Sequence, residues 1–541
     1  MRKTSPHPLI AGAGITSLGT LASRVLGLLR DMSTAPLLGM SGGGVMDAFV
    51  VAFRIPNLFR RLFGEGALTA SYVPVLAARL EEDRRRAWQV ASVLLAWLAV
   101  VLTGIVLVAE LVCVLAWSAA GDQPRVRLLA GLTAVMMPYM LFICLAAQVA
   151  ATLQCLGHFS IPALAPTLLN LCWLAAAWWI APWFAPDKPS QAYVLAGSIL
   201  VAGVLQLAVQ WPKLRQLGFR FDYHWAAARA SLGEVLRSMG PMVFGLAVTQ
   251  LNTLLDSVIA LGLSAAPQSS QQVAWLGGEV RYPMQHGAAA AVYYGERLYE
   301  FPLGILGIAV ATAIFPLLSR HAARGDRQRL AADLTLGLRL VLLLGVPASM
   351  GLVVLAGPLV RLLFERGQFT ANDAIRAARM VVCYGSGVWA YCALPVVIRG
   401  YYALGDRLTP LRIGMSAVGL NLSLNLTLIW PMAETGLALA TAIAAVFQLG
   451  ALLAILSRRG LPVAWRTLAA TALRTLLATG VMALAGWGTL GAISLGPGAL
   501  ADLIRVLAVL VVSLAVYAAA HAALGRHDFR ILLERREHEP D

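Results

Sequence analysis

Charge is scarce in this chain. Asp, Glu, Lys and Arg make up 13% of its 541 residues, against roughly 25% in an ordinary soluble domain. That scarcity excludes a soluble enzyme, a disordered chain, a coiled coil and a DNA-binding domain. Metal-ligand spacing is missing as well. The six cysteines (Cys113, Cys144, Cys155, Cys172, Cys383 and Cys392) all sit in apolar stretches and no pair has zinc spacing, which predicts buried thiols rather than disulfides. The eight histidines are scattered singly, with no HExxH-type pair. The first residues lack a compact apolar core before a small-residue cleavage site, and Arg24 interrupts them, so an uncleaved first helix is expected.

Apolar residues fill the space that charge leaves. They are 59% of the chain, and the mean hydropathy of +0.74 is spread along its whole length. At about 20 to 25 residues per crossing, the runs between polar or Pro/Gly breaks make about fourteen membrane spans. They begin with Ile10–Leu38 and Val45–Leu80 and end with Leu468–Leu490 and Leu500–Leu524. The second run is too long for one straight helix and contains Pro56 and Gly64-Glu65-Gly66, so a break is expected there. The fold class is an all-α polytopic membrane protein.

Loop charge sets the orientation. Arg84-Arg85-Arg86, Lys213 to Arg237, Arg320 to Arg329, Arg399 to Arg412 and Arg458 to Arg466 fall in one alternating set of loops together with both termini. By the positive-inside rule that set is cytoplasmic, so the net charge of +15 does not call for a nucleic-acid partner. Within it, Gln216 to Ala228 mixes Phe219, Phe221, Tyr223 and Trp225 with Arg220 and Asp222, which places the segment at the membrane interface.

Three local patterns recur in order. Arg-Ile-Pro at 54–56 is echoed by Glu-Phe-Pro at 300–302, and Val-Pro-Val-Leu-Ala at 73–77 by Phe-Pro-Leu-Leu-Ser at 315–319. Leu156-Gly157-x4-Pro162 is echoed by Leu404-Gly405-x4-Pro410. The proline offsets of 246, 242 and 248 residues correspond to an even number of helices, so the halves share one orientation, as in a two-lobed transporter. The expected division is residues 1–220 and 221–465 for two six-helix lobes, 466–525 for two extra helices and 526–541 for a cytoplasmic tail.

Some charges lie where hydrocarbon should be. The first helix carries Arg24, Arg30 and Asp31, the second Asp47, Arg54, Asn57, Arg60, Arg61 and Glu65, and the eighth Glu296, Arg297 and Glu300. A centrally placed Arg costs about 2.5 to 3.5 kcal/mol on insertion scales, so it normally faces a wet cavity or a partner. Helical spacing allows Arg24 to pair with Asp31, and Asp47 with Arg54 or Arg61. The arginines nevertheless dominate the first two helices, and their forked guanidinium suits phosphate or carboxylate. An anion-binding cavity is therefore favoured over purely structural pairing. A softer set is Asp256, Asn421, Asn425 and Thr441, whose oxygens suit a hard cation such as sodium, although hydrogen bonding between helices explains buried amides more simply.

Longer stretches carry a resemblance. Ser23 to Asp31 (SRVLGLLRD), Asp47 to Pro74, Gly157 to Asn170, Glu296 to Thr312 and Phe364 to Thr370 (FERGQFT) resemble the MurJ/MviN family of bacterial lipid II flippases, in the MOP (MATE-like) superfamily. The resemblance implies two six-helix lobes plus two C-terminal helices bordering a lipid-tail groove. It also implies alternating-access movement of undecaprenyl-diphosphate disaccharide-pentapeptide from the inner to the outer leaflet of the bacterial inner membrane.

It assigns functional arginines to Arg24, Arg30, Arg60 and Arg297, with Asp47, Glu65 and Glu300 beside them, and a sodium site to Asp256, Asn421, Asn425 and Thr441; the reading of the charges adds Asp31 and Asn57 to the candidate substrate-binding residues. Asn425 stands where some relatives carry a carboxylate, which weakens the sodium assignment. No cofactor is expected beyond sodium as a candidate coupling ion. The expected partners are lipid II and membrane lipids, for a monomer whose contact with the cell-wall synthesis machinery is left open. A flippase for another polyprenyl-linked glycan is the nearest alternative. A MATE-type cation exporter would want unpaired carboxylates in place of arginines, and an enzyme acting on polyprenyl phosphates would want a catalytic acid, base or metal motif that is not found. The chain is therefore expected not to be an enzyme. The segment Ser264 to Gly287, rich in Ala, Gln and Gly, has no assigned role.

Overall fold

The computed structural model describes residues 8–64, 67–265, 272–275 and 278–533. It divides into two compact units, Met1–Ala290 with Arg366–Phe369, and Ala291–Glu365 with Thr370–Asp541.

The first unit holds α1 (Pro8–Leu38), α2 (Val45–Phe59), α3 (Ala67–Glu82), α4 (Arg84–Ala119) and α5 (Pro124–Cys155). The short helices α6 (Ser160–Leu164), α7 (Thr167–Ala175) and α8 (Ala181–Phe184) follow, then α9 (Lys188–Ala208), α10 (Trp211–Gln216) and α11 (Trp225–Gly262). A small antiparallel hairpin, β1 (Gln272–Trp275) and β2 (Gly278–Arg281), lies within the segment that had no assigned role, and it pairs Gln272 with Arg281. The unit's core gathers Tyr72, Trp88, Leu94, Leu98, Met137 and Met140 from α3, α4 and α5. Helix α11, which the sequence places at the head of the second lobe, packs on α2, α3 and α4.

Helix α12 (Ala288–Pro302) runs into the second unit, followed by α13 (Ile308–Ala323), α14 (Arg327–Phe364), α15 (Ala371–Ser386) and α16 (Val388–Ala403). The remainder is α17 (Leu408–Met432), α18 (Glu434–Arg458), α19 (Trp465–Ala492) and α20 (Ala499–Leu533). Here the core gathers Leu334, Leu338, Val396, Tyr401 and Leu452. Pro347 cannot donate to the carbonyl four residues before it. That carbonyl, of Leu343, receives the Tyr517 hydroxyl at 2.7 Å, which ties α20 to α14.

Ten described helices are long and apolar enough to cross a membrane, and the pair α15–α16, bent by 42°, supplies an eleventh. Helix α1, the α2–α3 stretch and α11 are also of crossing length at about 1.5 Å per residue. Among the described residues ten or eleven stretches are thus both long and apolar enough to cross, and the protein is a multi-pass membrane protein.

The echoed prolines mark matching backbone devices. In the first unit Pro56 is followed by a π turn, Arg60–Gly64, before α3; in the second Pro302 is followed by a π turn, Leu303–Gly307, before α13. The carbonyl just ahead of each π turn accepts a thiol, Cys144 Sγ onto Phe59 at 3.8 Å and Cys392 Sγ onto Pro302 at 3.9 Å. The Leu-Gly echoes are matching helix ends. Gly157 and Gly405 take left-handed φ of 77° and 78°. The next amide then reaches back to close the helix, His158 to the Leu153 carbonyl at 2.9 Å and Asp406 to Tyr401 at 3.0 Å.

Candidate functional site

The first helix meets α6 at a point only glycine allows. A Cβ at Gly19 would lie 2.7 Å from the Ala163 carbonyl oxygen. From there α1 carries Arg24 and then Arg30 along the inside of the first unit, and the two have opposite surroundings.

Arg30 is buried and fully engaged. Its Nε and Nη2 both donate to Asp31 Oδ1, at 2.9 and 2.8 Å, and Nη1 donates to Asn170 Oδ1 at 3.2 Å. The guanidinium lies over the Trp173 ring, 4.5 Å from its centroid. That ring is clamped in turn: its Nε1 donates to Thr34 at 3.0 Å, and Phe49 and Phe53 meet it edge-on at 5.3 and 5.4 Å. Asp31 thus pairs with its own neighbour, where helical spacing predicted Arg24. Arg24 is half-buried and has no hydrogen-bond or ion-pair partner among the described residues.

Asp47, on α2, is fully buried. Its carboxylate accepts the Gly287 amide at 2.7 Å and the Ala290 amide at 2.9 Å, which caps the first turn of α12, and Arg125 Nη2 stands 3.7 Å away. Arg125 also donates to the Ser264 carbonyl and hydroxyl. These bonds tie α2 to the start of α12 at Asp47, one of the residues the sequence grouped with the substrate-binding positions. Arg54 donates to the Thr253 carbonyl at 2.8 Å and Arg61 to Gln250 at 3.2 Å, both on α11. Arg60 opens the π turn, with Nε donating to Asn57 Oδ1 at 2.8 Å. Glu65 lies outside the described residues.

In the second unit Arg297 and Glu300 form a partly exposed pair at 2.7 Å, one turn apart on α12, and the Arg297 guanidinium lies 4.6 Å from the Tyr293 centroid. Aromatic packing fixes this stretch, with Tyr299 against Tyr384 and Tyr391 at 5.0 Å each. Asn425 Nδ2 donates to Asn421 Oδ1 at 2.9 Å, and Asn421 Nδ2 to Thr441 Oγ1 at 3.2 Å. Three of the four sodium candidates are thus joined, but the Asn421 and Thr441 oxygens face amide donors. The Asn421–Thr441 bond ties α17 to α18. Asp256 is buried on α11 of the first unit. Among the described residues no group of three or more His, Cys, Asp or Glu could hold a metal.

The arginines therefore differ in availability. Breaking a buried pair such as Arg30–Asp31 strands a charge, whereas the side chains of Arg297 and Glu300 are 24% and 35% exposed. Sequence reasoning missed Arg125, Asn170 and Trp173. Asn170 left a trace, as a lone amide in an apolar run, but its partner is 140 residues away. The FERGQFT motif proves to be a connector. Gly367, with φ of 55°, fits against Pro36, whose carbonyl accepts the Gln368 amide at 3.0 Å, and Thr370 opens a capping box with Asp373 on α15.

Three comparisons bear on these features. A family profile described as "Lipid II flippase MurJ" matches residues 35–507. A "Probable lipid II flippase MurJ" from Haemophilus influenzae is 35% identical over 448 residues, which is 79% of this chain and 82% of that protein. Among solved structures, "Lipid II flippase MurJ, inward closed conformation" is similar with a TM-score of 0.75 at 21% identity, covering 96% of this chain and 99% of the other. An inward-facing multidrug resistance MATE family transporter of the MOP superfamily is similar with a TM-score of 0.61 at 13% identity, covering 80% and 95%.

Proposed function

Since the chain belongs to the lipid II flippase MurJ family, we propose that it carries lipid II across the bacterial inner membrane, with Arg24 as the first guanidinium to take the diphosphate. The family match over most of the chain supports the activity. The observation that carries the residue assignment is that Arg24 has no partner among the described residues, at a depth where a lone charge is costly.

Lipid II presents a diphosphate, a polar sugar-peptide headgroup and a long isoprenoid tail. Drawing the diphosphate into hydrocarbon unaided is prohibitive. Charge-assisted hydrogen bonds from Arg24 replace its lost hydration. Arg60, which donates to Asn57 among its contacts, is the next guanidinium of that unit to reach phosphate oxygens, and Arg297, beside Glu300, is the candidate in the second unit. Arg30 stays with Asp31 and positions the helix. With both termini cytoplasmic, as loop charge predicts, outward movement of an anion is assisted by about 2.3 kcal/mol per charge per 100 mV. No step is routed through sodium.

The test is leaflet-resolved lipid II in proteoliposomes. Arg24→Ala loses flipping while still inserting and folding, and Arg24→Lys keeps part of it, because the charge survives and the fork does not. Normal flipping by Arg24→Ala refutes the residue assignment. Failure of the unaltered protein to move lipid II, with movement of another polyprenyl-linked glycan, refutes the substrate.

A further inference from the structure

The segment between α10 and α11 is not a slack loop. Its first carbonyl, of Leu217, accepts from Arg84 Nη2 at 2.7 Å. Phe219 is wedged between Trp88 and Trp211, with centroids 5.4 and 6.0 Å away. The Asp222 amide donates to the Ser92 hydroxyl at 3.0 Å, and its carboxylate accepts from Gln89 at 3.0 Å and Arg85 at 3.4 Å. Two inward anchors three residues apart leave the others facing out. Phe221, Tyr223 and Trp225 are 57%, 55% and 48% exposed. Three aromatics held outward by specific contacts are a presented surface.

Its charge is unbalanced in one direction. Asp222 is engaged by Arg85, Glu82 pairs with Arg79, and Asp83 caps α4 and faces Arg86, which leaves Glu81 and Glu234 against a larger number of arginines and lysines. Lys213, Arg215 and Arg220 have no carboxylate partner among the described residues, and Arg215 rests over the Trp211 ring. The segment sits where α4 and α11 begin and α10 ends, at the rim of the first unit's crossing helices. Aromatics at the headgroup level beside unpaired cations are the chemistry of an interface rich in anionic lipid.

We propose that Leu217–Trp225, with Lys213, Arg215 and Arg220, is a binding surface for anionic phospholipid headgroups. The aromatics seat in the headgroup layer and the three cations hold the phosphates. This surface depends on the chain spanning a membrane and is independent of the Arg24 assignment.

The test compares hydrogen exchange of residues 217–225 in the full chain, placed in nanodiscs of phosphatidylcholine alone or mixed with phosphatidylglycerol. Exchange slows in the anionic discs by about tenfold, and high salt removes the difference. The triple variant Lys213→Gln, Arg215→Gln, Arg220→Gln loses the lipid selectivity while its lipid II flipping in phosphatidylcholine proteoliposomes is unchanged. Should that variant fold poorly, salt reversal in the unaltered chain decides alone. Equal exchange in both kinds of disc, or protection of this segment by added lipid II and not by phosphatidylglycerol, overturns the proposal.

Discussion

In the first unit the helix broken after Pro56 puts Arg60 and Arg61 into its π turn, whereas in the second the turn after Pro302 reads Leu-Gly-Ile-Leu-Gly. The surrounding backbone is alike. Each break has its proline, its accepted thiol and a further proline downstream, Pro74 and Pro316. In the second unit the charges, Arg297 and Glu300, lie ahead of the π turn, Glu300 at the position of Arg54, and are paired with each other. Backbone devices have thus been kept in duplicate while side-chain chemistry has diverged. The matching breaks carry different charges, and Arg24, which has no hydrogen-bond or ion-pair partner among the described residues, belongs to the first unit.

The largest expected effect separates a locked arginine from an exchangeable one. Arg30→Ala leaves Asp31 buried without its partner and lowers stability by about 3 to 5 kcal/mol. Arg297→Ala breaks a partly exposed pair and costs less than about 1 kcal/mol. Chemical denaturation of the purified variants checks both, and equal losses would erase the distinction.

Next comes a swap across the repeat. Arg60→Leu gives the first π turn an apolar opening like that of the second, and should cut lipid II flipping about tenfold or more with stability nearly unchanged. Leu303→Arg in the second unit should bring no gain. Leaflet-resolved lipid II in proteoliposomes reads both.

Smaller effects test the matched helix ends. Gly157→Ala and Gly405→Ala each force a side chain into left-handed backbone and should cost about 1 to 2 kcal/mol apiece, by similar amounts, in thermal unfolding.

The smallest effect distinguishes those same ends by pH, since one turn places histidine where the other places aspartate. Burial and then Lys213 push the His158 pKa below its ordinary 6.5. The folded state resists protonation there, so stability present above pH 6.5 declines as pH falls below it. Burial works against charged Asp406, but the Thr409 hydroxyl and amide and Arg459 outweigh it and hold its pKa down from 3.8 to about 2. Its contribution is present above about pH 4 and is lost as pH falls toward 2. His158→Gln should remove the upper phase of an acid titration of stability and leave the lower one; Asp406→Asn should do the reverse.

Much of this architecture was readable beforehand because its causes are local. Apolar runs set the crossings, and prolines and glycines set the breaks at Pro56, Pro302, Gly157 and Gly405. The arginines of α1, α2 and α12 stood out because charge is so rare in such runs. What could not be read depends on distant partners. Asp47 became a cap through amides some 240 residues away, and Arg30 was locked by Asn170 and Trp173. The packing of α11 with the first unit rests on faces that periodicity alone does not assign. The π turns also left no mark, since a widened helical turn has no residue signature of its own.

Those widened turns have a genetic consequence. A π turn accommodates one residue more than an α-helix needs over the same path. Elsewhere in a crossing helix, losing one residue swings every later side chain by about 100° and turns lipid-facing groups inward. Within 60–64 or 303–307 the helix can shed a residue and simply tighten, leaving the downstream faces in phase. A scan of single-codon deletions should therefore find its survivors clustered there and at the third π turn, Ala176–Ile180.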